Sequence, residues 1–302
     1  SIRKLMSLSL DLAERDLKLT TFTGSWIREA HRHDAAVEGT LVNESRTGFS
    51  SNRANPGFIL SERAADERRG RVWGFNLVYS GNHMSCVSAD PRGTVRVMSG
   101  ISPDRFEWRL GTGESFETPE AVMCFSAEGL GGMSRAMHDF VNRHIVRGPW
   151  AGRGRPVLVN AWEGFMFDFD AKRLLSVAKR AKAMGAELFV MDDGWFAGRD
   201  DDTGGLGDYE PDTKKLPEGV AGLARDVTAL GLDFGIWFEP EMVSPDSDLY
   251  RAHPDWCLHA EGRVRTEWRN QLVLDMSRKE VQDYLIACVD SVLSTGIFTY
   301  VK

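Results

Sequence analysis

ELFVMDDGW, residues 187–195, runs from four apolar residues straight into two adjacent aspartates. Leu188, Phe189, Val190 and Met191 have the length and composition of a buried strand. Asp192, Asp193 and Gly194 end it, and Trp195 follows. Most Asp-Asp pairs are helix caps or solvated loops. Here the strand before them and the indole after them favour a grip on something polar that also has an apolar face. A pyranose ring has both, with hydroxyls at its rim and C–H groups on its faces. The two carboxylates fit poorly as an acid and base acting across one bond, because neighbours at a strand end point opposite ways. Glycoside chemistry needs carboxyls about 5–5.5 Å apart for retention and wider for inversion. Holding two different hydroxyls is the easier task.

Outward from this stretch, strand and helix alternate. PVLVN (156–160) is predicted as a strand, and Asp170 caps a helix with Ala171, Leu174, Leu175, Ala178 and Ala181 inward and Gly185 at its end. After ELFVM, Pro217 suits the first turn of a helix that buries Val220, Leu223, Val227 and Leu230. DFGIWF (233–238) is a third strand. Ser277 and Glu280 predict a capping box for a helix through Val281, Leu285, Cys288, Val289 and Val292, and IFTYVK (297–302) begins a fourth strand. Repeated strand–helix units imply a parallel sheet. Polar and aromatic residues gather after each strand, at Trp162–Glu163, Asp192–Trp195 and Glu239–Glu241. That placement fits the first half of a (β/α)8 barrel, with a doubly wound sheet as the alternative.

Residues 1 to about 125 read differently. Short β-branched and aromatic patches (Leu17–Phe22, Trp73–Tyr79, Thr94–Met98, Phe106–Leu110) are separated by Gly, Pro, Asn and Asp. Met133, Ala136, Met137, Phe140 and Val141 then recur at helical spacing, predicting a helix from about Gly132 to Val146. RGPWAGRGRP (147–156) is a Gly- and Pro-rich linker. The expected domains are a partial β domain over 1–147 with a C-terminal helix, and the barrel half over 148–302.

The 302 residues, 42% hydrophobic and 27% charged, suit a globular protein of two domains. A net charge of −7 and the mixed signs of ERAADERRGR (62–71) argue against nucleic acid as a partner. No apolar run approaches the length of a membrane span, and no signal peptide is visible. Cys86, Cys124, Cys257 and Cys288 form no CxxC pair, which predicts free thiols and a cytoplasmic setting. The first residue is not Met and the last falls inside an expected strand, so the chain reads as a fragment.

Other candidates stand close to the strand ends. Trp237, Glu239 and Glu241 alternate in GIWFEPEMV (235–243) and would share a face if the strand continued, though Pro240 argues that it stops. Trp237 is a stacking platform or a core residue. Glu239 and Glu241 are an acid/base pair, metal ligands with His253, or carboxylates paired with arginines. Arg269, in RNQLVLD (269–275), donates to a hydroxyl or to a neighbouring carboxylate. Lys302 projects from a strand end, where it would bind a hydroxyl and favour ionisation of a nearby carboxyl. His31 and His33 sit in a loop-like stretch, and residues 204–207 lack a P-loop Lys-Ser/Thr.

In order, GSWIREAH (24–31), EAVMCFSAEGLGGMSRAMHDF (120–140), RPVLVNAWEGFMFDF (155–169), ELFVMDDGWFAGRDDD (187–202), GLGDYEPDTKKLPEGV (205–220), GLDFGIWFEPEMVSPDSDLYRAHPDW (231–256), RNQLVLDMS (269–277) and YVK (300–302) resemble the family 36 glycoside hydrolases, the bacterial-type α-galactosidases. The resemblance implies a partial β-supersandwich followed by the start of a catalytic (β/α)8 barrel. It implies galactose contacts from Asp192, Asp193, Trp237, Arg269 and Lys302, with Trp26 closing the sugar site. An α-galactoside substrate, no metal or organic cofactor, no nucleic acid or membrane partner and a homotetramer are also implied. Glu239 and Glu241 match positions that are not the family's catalytic carboxylates. Its nucleophile follows the Y-V-K of the motif, so neither catalytic carboxylate is expected among these residues. The expectation is therefore a retaining α-galactosidase whose present 302 residues are inactive, with a non-catalytic carbohydrate-binding remnant as the alternative.

Overall fold

A computed structural model describes residues 1–302, which fall into two compact units, Ser1–Arg153 and Gly154–Lys302.

The first unit is built from nine strands: β1 (Met6–Leu12), β2 (Leu17–Ser25), β3 (Arg28–Ala36), β4 (Thr40–Glu44), β5 (Phe58–Glu62), β6 (Val72–Val78), β7 (His83–Ala89), β8 (Val95–Ile101) and β9 (Glu120–Ser126). They form two antiparallel sheets, of order β1-β8-β7-β4 and β3-β2-β5-β6-β9. One face of each sheet is apolar. Leu17, Leu19, Phe58, Leu60 and Phe75 from the second sheet pack with Val87, Val95 and Val97 from the first in one core. β3 was not legible because all nine of its residues are exposed. It exists because its backbone pairs with β2 from Lys18–Ala36 to Ser25–Arg28, and its charged side chains keep a free sheet edge soluble. His31 and His33 therefore lie on a strand rather than in a loop. Phe106–Leu110 is not a strand. Only Trp108 makes a bridge, to Ile2, and the aromatic rings there pack on Phe116 instead. Helix α1 spans Gly129–Phe140, three residues ahead of the expected start, and Val141–Ile145 continues it as a π-helical turn.

In the second unit the strands β10 (Leu158–Asn160), β11 (Leu188–Met191), β12 (Asp233–Ile236) and β15 (Phe298–Val301) pair in that order, all parallel. Between them come α2 (Trp162–Phe165), α3 (Ala171–Ala183), α4 (Gly219–Ala229), the small antiparallel pair β13 (Met242–Val243) and β14 (Leu272–Val273), α5 (Asp248–Ala252) and α6 (Lys279–Leu293). Sequential parallel order with a helix between successive strands is the half-barrel pattern. All four residues of β11 are buried, each contributing roughly 1.5–3 kcal/mol of transfer free energy. Asp170 caps α3 as its spacing predicts, accepting the Arg173 amide at 2.7 Å. The capping box at α6 does not form. The Ser277 hydroxyl turns back to donate to Asp275 at 2.6 Å, and Arg278 holds the cap position without a side-chain bond to the amides of the helix end. β12 stops at Ile236, two residues short of the expected end, so the pleat does not carry Trp237, Glu239 and Glu241 to one face.

Candidate functional site

Register builds the site. Met191 pairs with Ile236 and Ile236 with Val301, so the next residues along, Asp192, Trp237 and Lys302, form one layer at the C-terminal ends of the strands. The backbone continues the pairing by one step: the Trp237 amide donates to the Met191 carbonyl at 3.1 Å and the Lys302 amide to Ile236 at 3.0 Å. Active sites of such sheets lie at this end.

Asp192 is buried, and its oxygens face three donors. Asn160 Nδ2 donates to Oδ2 at 2.6 Å, Lys302 Nζ to the same atom at 2.7 Å, and the Asp193 amide to Oδ1 at 2.9 Å. Lys302 is half exposed, so the pair is charged on the buried side and wet on the other. Asn160 is fixed in turn, because its Oδ1 accepts the Trp162 amide at 2.8 Å. Ring-edge packing of Trp162 on Phe167 at 5.0 Å braces that turn.

Asp193 lies in the bend beyond β11 and points elsewhere. Its carboxylate meets the Arg199 guanidinium side-on, with Nε at 3.0 and 3.2 Å and Nη2 at 2.8 Å. The two side chains are 4% and 0% exposed. Arg199 also donates from Nη1 to the Gly204 carbonyl at 3.0 Å and lies 5.5 Å over the Phe167 ring. Such a forked pair holds the carboxylate plane in one orientation. Lys215 Nζ closes the loop by donating to the carbonyls of Gly194 and Arg199, at 2.9 and 3.1 Å. Gly194 has φ +98°, a conformation costly for any side chain, and a Cβ there would press on Phe167 and Phe169.

Trp195 belongs to the core and not to a ligand platform. It is fully buried, donates from Nε1 to the Trp237 carbonyl at 2.9 Å, and packs edge-on against Phe196 and Phe238. Trp237 is 9% exposed at the layer of Asp192. Glu239 is half-buried; burial pushes its carboxyl above the ordinary range, Arg269 pulls it back down, and Glu241 and Asp193 raise it further. Arg269 is therefore within electrostatic reach of the carboxylate group at the sheet's mouth. The metal-ligand reading of Glu239 and Glu241 with His253 finds no support. His253 stacks on Trp256 at 4.0 Å, and no three carboxylate, imidazole or thiol groups converge at metal-binding spacing. Trp26 stands in the first unit on the tip of the β2–β3 hairpin, 81% exposed. Asn160 and Arg199 were missed in the sequence. An Asn ending a strand next to an acidic strand end, and a cation six residues after Asp193, were the available signals.

Two families match the chain. The melibiase family matches residues 115–302, and the glycosyl hydrolase family 36 N-terminal domain matches residues 1–111. Among curated relatives the chain is similar to alpha-galactosidase AgaA of Geobacillus stearothermophilus, 48% identical over 298 residues, covering 98% of this chain and 41% of the relative. It is also similar to alpha-galactosidase C of Emericella nidulans, 42% identical over 314 residues, covering 100% of this chain and 42% of the relative. The crystal structure of the Geobacillus AgaA superimposes with a TM-score of 0.94 at 47% identity, over 99% of this chain and 42% of that one. A variant of that enzyme has been solved in complex with raffinose, with a TM-score of 0.94 at 46% identity, again over 99% and 42% of the two chains. The chain thus spans about two fifths of the length of the curated relatives it matches.

Proposed function

The chain belongs to the melibiase family and carries the N-terminal domain of glycosyl hydrolase family 36, and from that premise we propose that its protein is a retaining α-galactosidase acting on terminal α-galactosyl groups of raffinose-type oligosaccharides. In this reading Asp192, Asp193, Trp237, Arg269 and Lys302 hold the galactose. The observation that carries it is the layer at the strand ends, where Asp192 lies 2.7 Å from Lys302 beside a buried tryptophan. A carboxylate and an ammonium side by side accept from one sugar hydroxyl and donate to the next, and the indole meets the C–H face.

Retention requires one carboxylate to attack the anomeric carbon while a carboxylic acid protonates the departing oxygen, after which the same acid activates water. Asp192 and Asp193 are poor candidates for either part. Each already accepts hydrogen bonds from a cationic side chain, Lys302 or Arg199, which occupies its lone pairs and weakens it as a nucleophile. Their task here is to bind, and the bond-breaking carboxylates are other groups. A cytoplasmic location accords with the four free cysteines. The homotetramer is part of the same proposal, and sedimentation tests it.

Calorimetry with galactose and the 302-residue chain tests the reading. Saturable binding is expected, with Asp192→Asn weakening it at least about tenfold, the usual scale for losing a charged hydrogen-bond acceptor. The same preparation is expected to release no nitrophenol from a nitrophenyl α-galactoside. Absence of any galactose signal would sink the assignment of these residues, and nitrophenol release would refute the division of labour.

A further inference from the structure

We propose that Trp268 is the platform for the sugar attached to the galactosyl group, so that it sets the preference for oligosaccharides over galactose itself. The proposal rests on the galactose-binding reading above and extends it one ring outward. Trp268 and Gln271 close a two-residue turn, each amide donating to the other's carbonyl at 3.1 Å. The two residues between them, Arg269 and Asn270, have φ of +53° and +58°. That is the backbone of a type I′ turn, which favours Asn-Gly and strains an arginine. The base of the hairpin is buried at Gln271 and Leu272 and pairs with β13, so the turn is anchored where it leaves the sheet.

The residue that opens the turn carries a large indole in water. Trp268 is 70% exposed, whereas Trp237 is 9% exposed and Asp192 and Asp193 no more than 5%. This gradient of depth orders the two subsites. The buried wall takes the terminal sugar, and the exposed rim takes what the sugar carries. Arg269 links them. Its guanidinium carbon lies 5.9 Å over the Trp268 ring and its charge reaches Glu239, which in turn senses Asp193. A cation on one face of an indole fixes the ring and leaves the opposite face to the solvent. An aromatic face of that width matches the C–H face of a pyranose or furanose, which removes apolar surface from water without needing a fixed hydrogen bond.

Binding of galactose and of raffinose is measured by calorimetry for the unaltered chain, for Trp268→Ala and for Trp268→Phe. The readout is the ratio of raffinose to galactose affinity. Trp268→Ala is expected to lower that ratio about tenfold, and Trp268→Phe to restore most of it. A general disturbance of the site through Arg269 moves both affinities together and leaves the ratio unchanged. An unchanged ratio in Trp268→Ala therefore overturns the platform while the galactose reading survives. Failure of the unaltered chain to bind galactose overturns both.

Discussion

Asp34 in the first unit and Asp193 in the second are gripped in nearly the same way, yet one sits in water and the other does not. On the β2–β3 hairpin, Arg32 forks onto Asp34 at 2.9 and 3.0 Å, with Lys18 at 3.3 Å and the Thr20 hydroxyl at 2.6 Å. At the end of β11, Arg199 forks onto Asp193 at 2.8–3.2 Å. The side chains of the first pair are 42% and 36% exposed, and those of the second 0% and 4%. Solvent screens the first, and removing a partner there returns the other to water. In the second, each ion is costly without its partner, so the pair behaves as one unit. Geometry is shared; burial decides the energetic consequence.

The comparison breaks most sharply at Arg199. Arg199→Met leaves the Asp193 carboxylate buried without a countercharge and is expected to destabilise the second unit by about 3–5 kcal/mol. Urea unfolding measures this. The double variant Arg199→Met with Asp193→Leu is expected to recover most of the loss, since it removes both charges. A single-variant loss below about 1 kcal/mol would mean that water reaches the pair and that the contrast with Asp34 is empty.

Glu239 tests the intermediate case. Burial raises its folded-state value above the ordinary one. As pH climbs past the unfolded value, the unfolded chain gives up this proton while the folded one keeps it. Stability therefore falls with rising pH until the folded group also ionises. Glu239→Gln is expected to flatten that slope and to stabilise the neutral-pH protein by no more than about 1 kcal/mol after screening. Melting curves across mildly acidic to neutral pH give the slope. A slope that persists in the variant would place its origin elsewhere.

Asp34 should give the smallest effect. The Arg32 hydrogen bonds hold its carboxyl at about 2 against an ordinary 3.8, overcoming the opposing cost of burial. Its stabilisation is present above pH 3.8 and is lost as pH falls toward 2. Asp34→Asn is expected to cost about 0.5 kcal/mol at neutral pH, and nothing below that window. An effect near that of Arg199 would show the β3 edge to be covered in solution.

The half-barrel was legible because four strands and three helices obey simple periodicities, and because caps such as Asp170 act within a few residues of their own position. Much of the strand-end layer was legible for the same reason. Asp192, Trp237 and Lys302 each follow a recognisable strand, and parallel register brings strand ends together. What failed did so through competition. Ser277 had a closer partner in Asp275 than the helix end, and Trp195 found enough apolar neighbours to leave the surface. β3 carries no apolar pattern, so only its pairing with β2 reveals it.

By itself the sequence determined the parallel strand–helix series, the β character of the first unit and the family. Those follow from local periodicity and from motifs a few residues long. The tertiary structure decided how the two neighbouring aspartates differ. Asp192 turns to Asn160 and Lys302, the latter 110 residues away, while Asp193 pairs with the buried guanidinium of Arg199. Partner and solvent access, which set what a carboxylate does, depend on distances that the chain acquires only on folding.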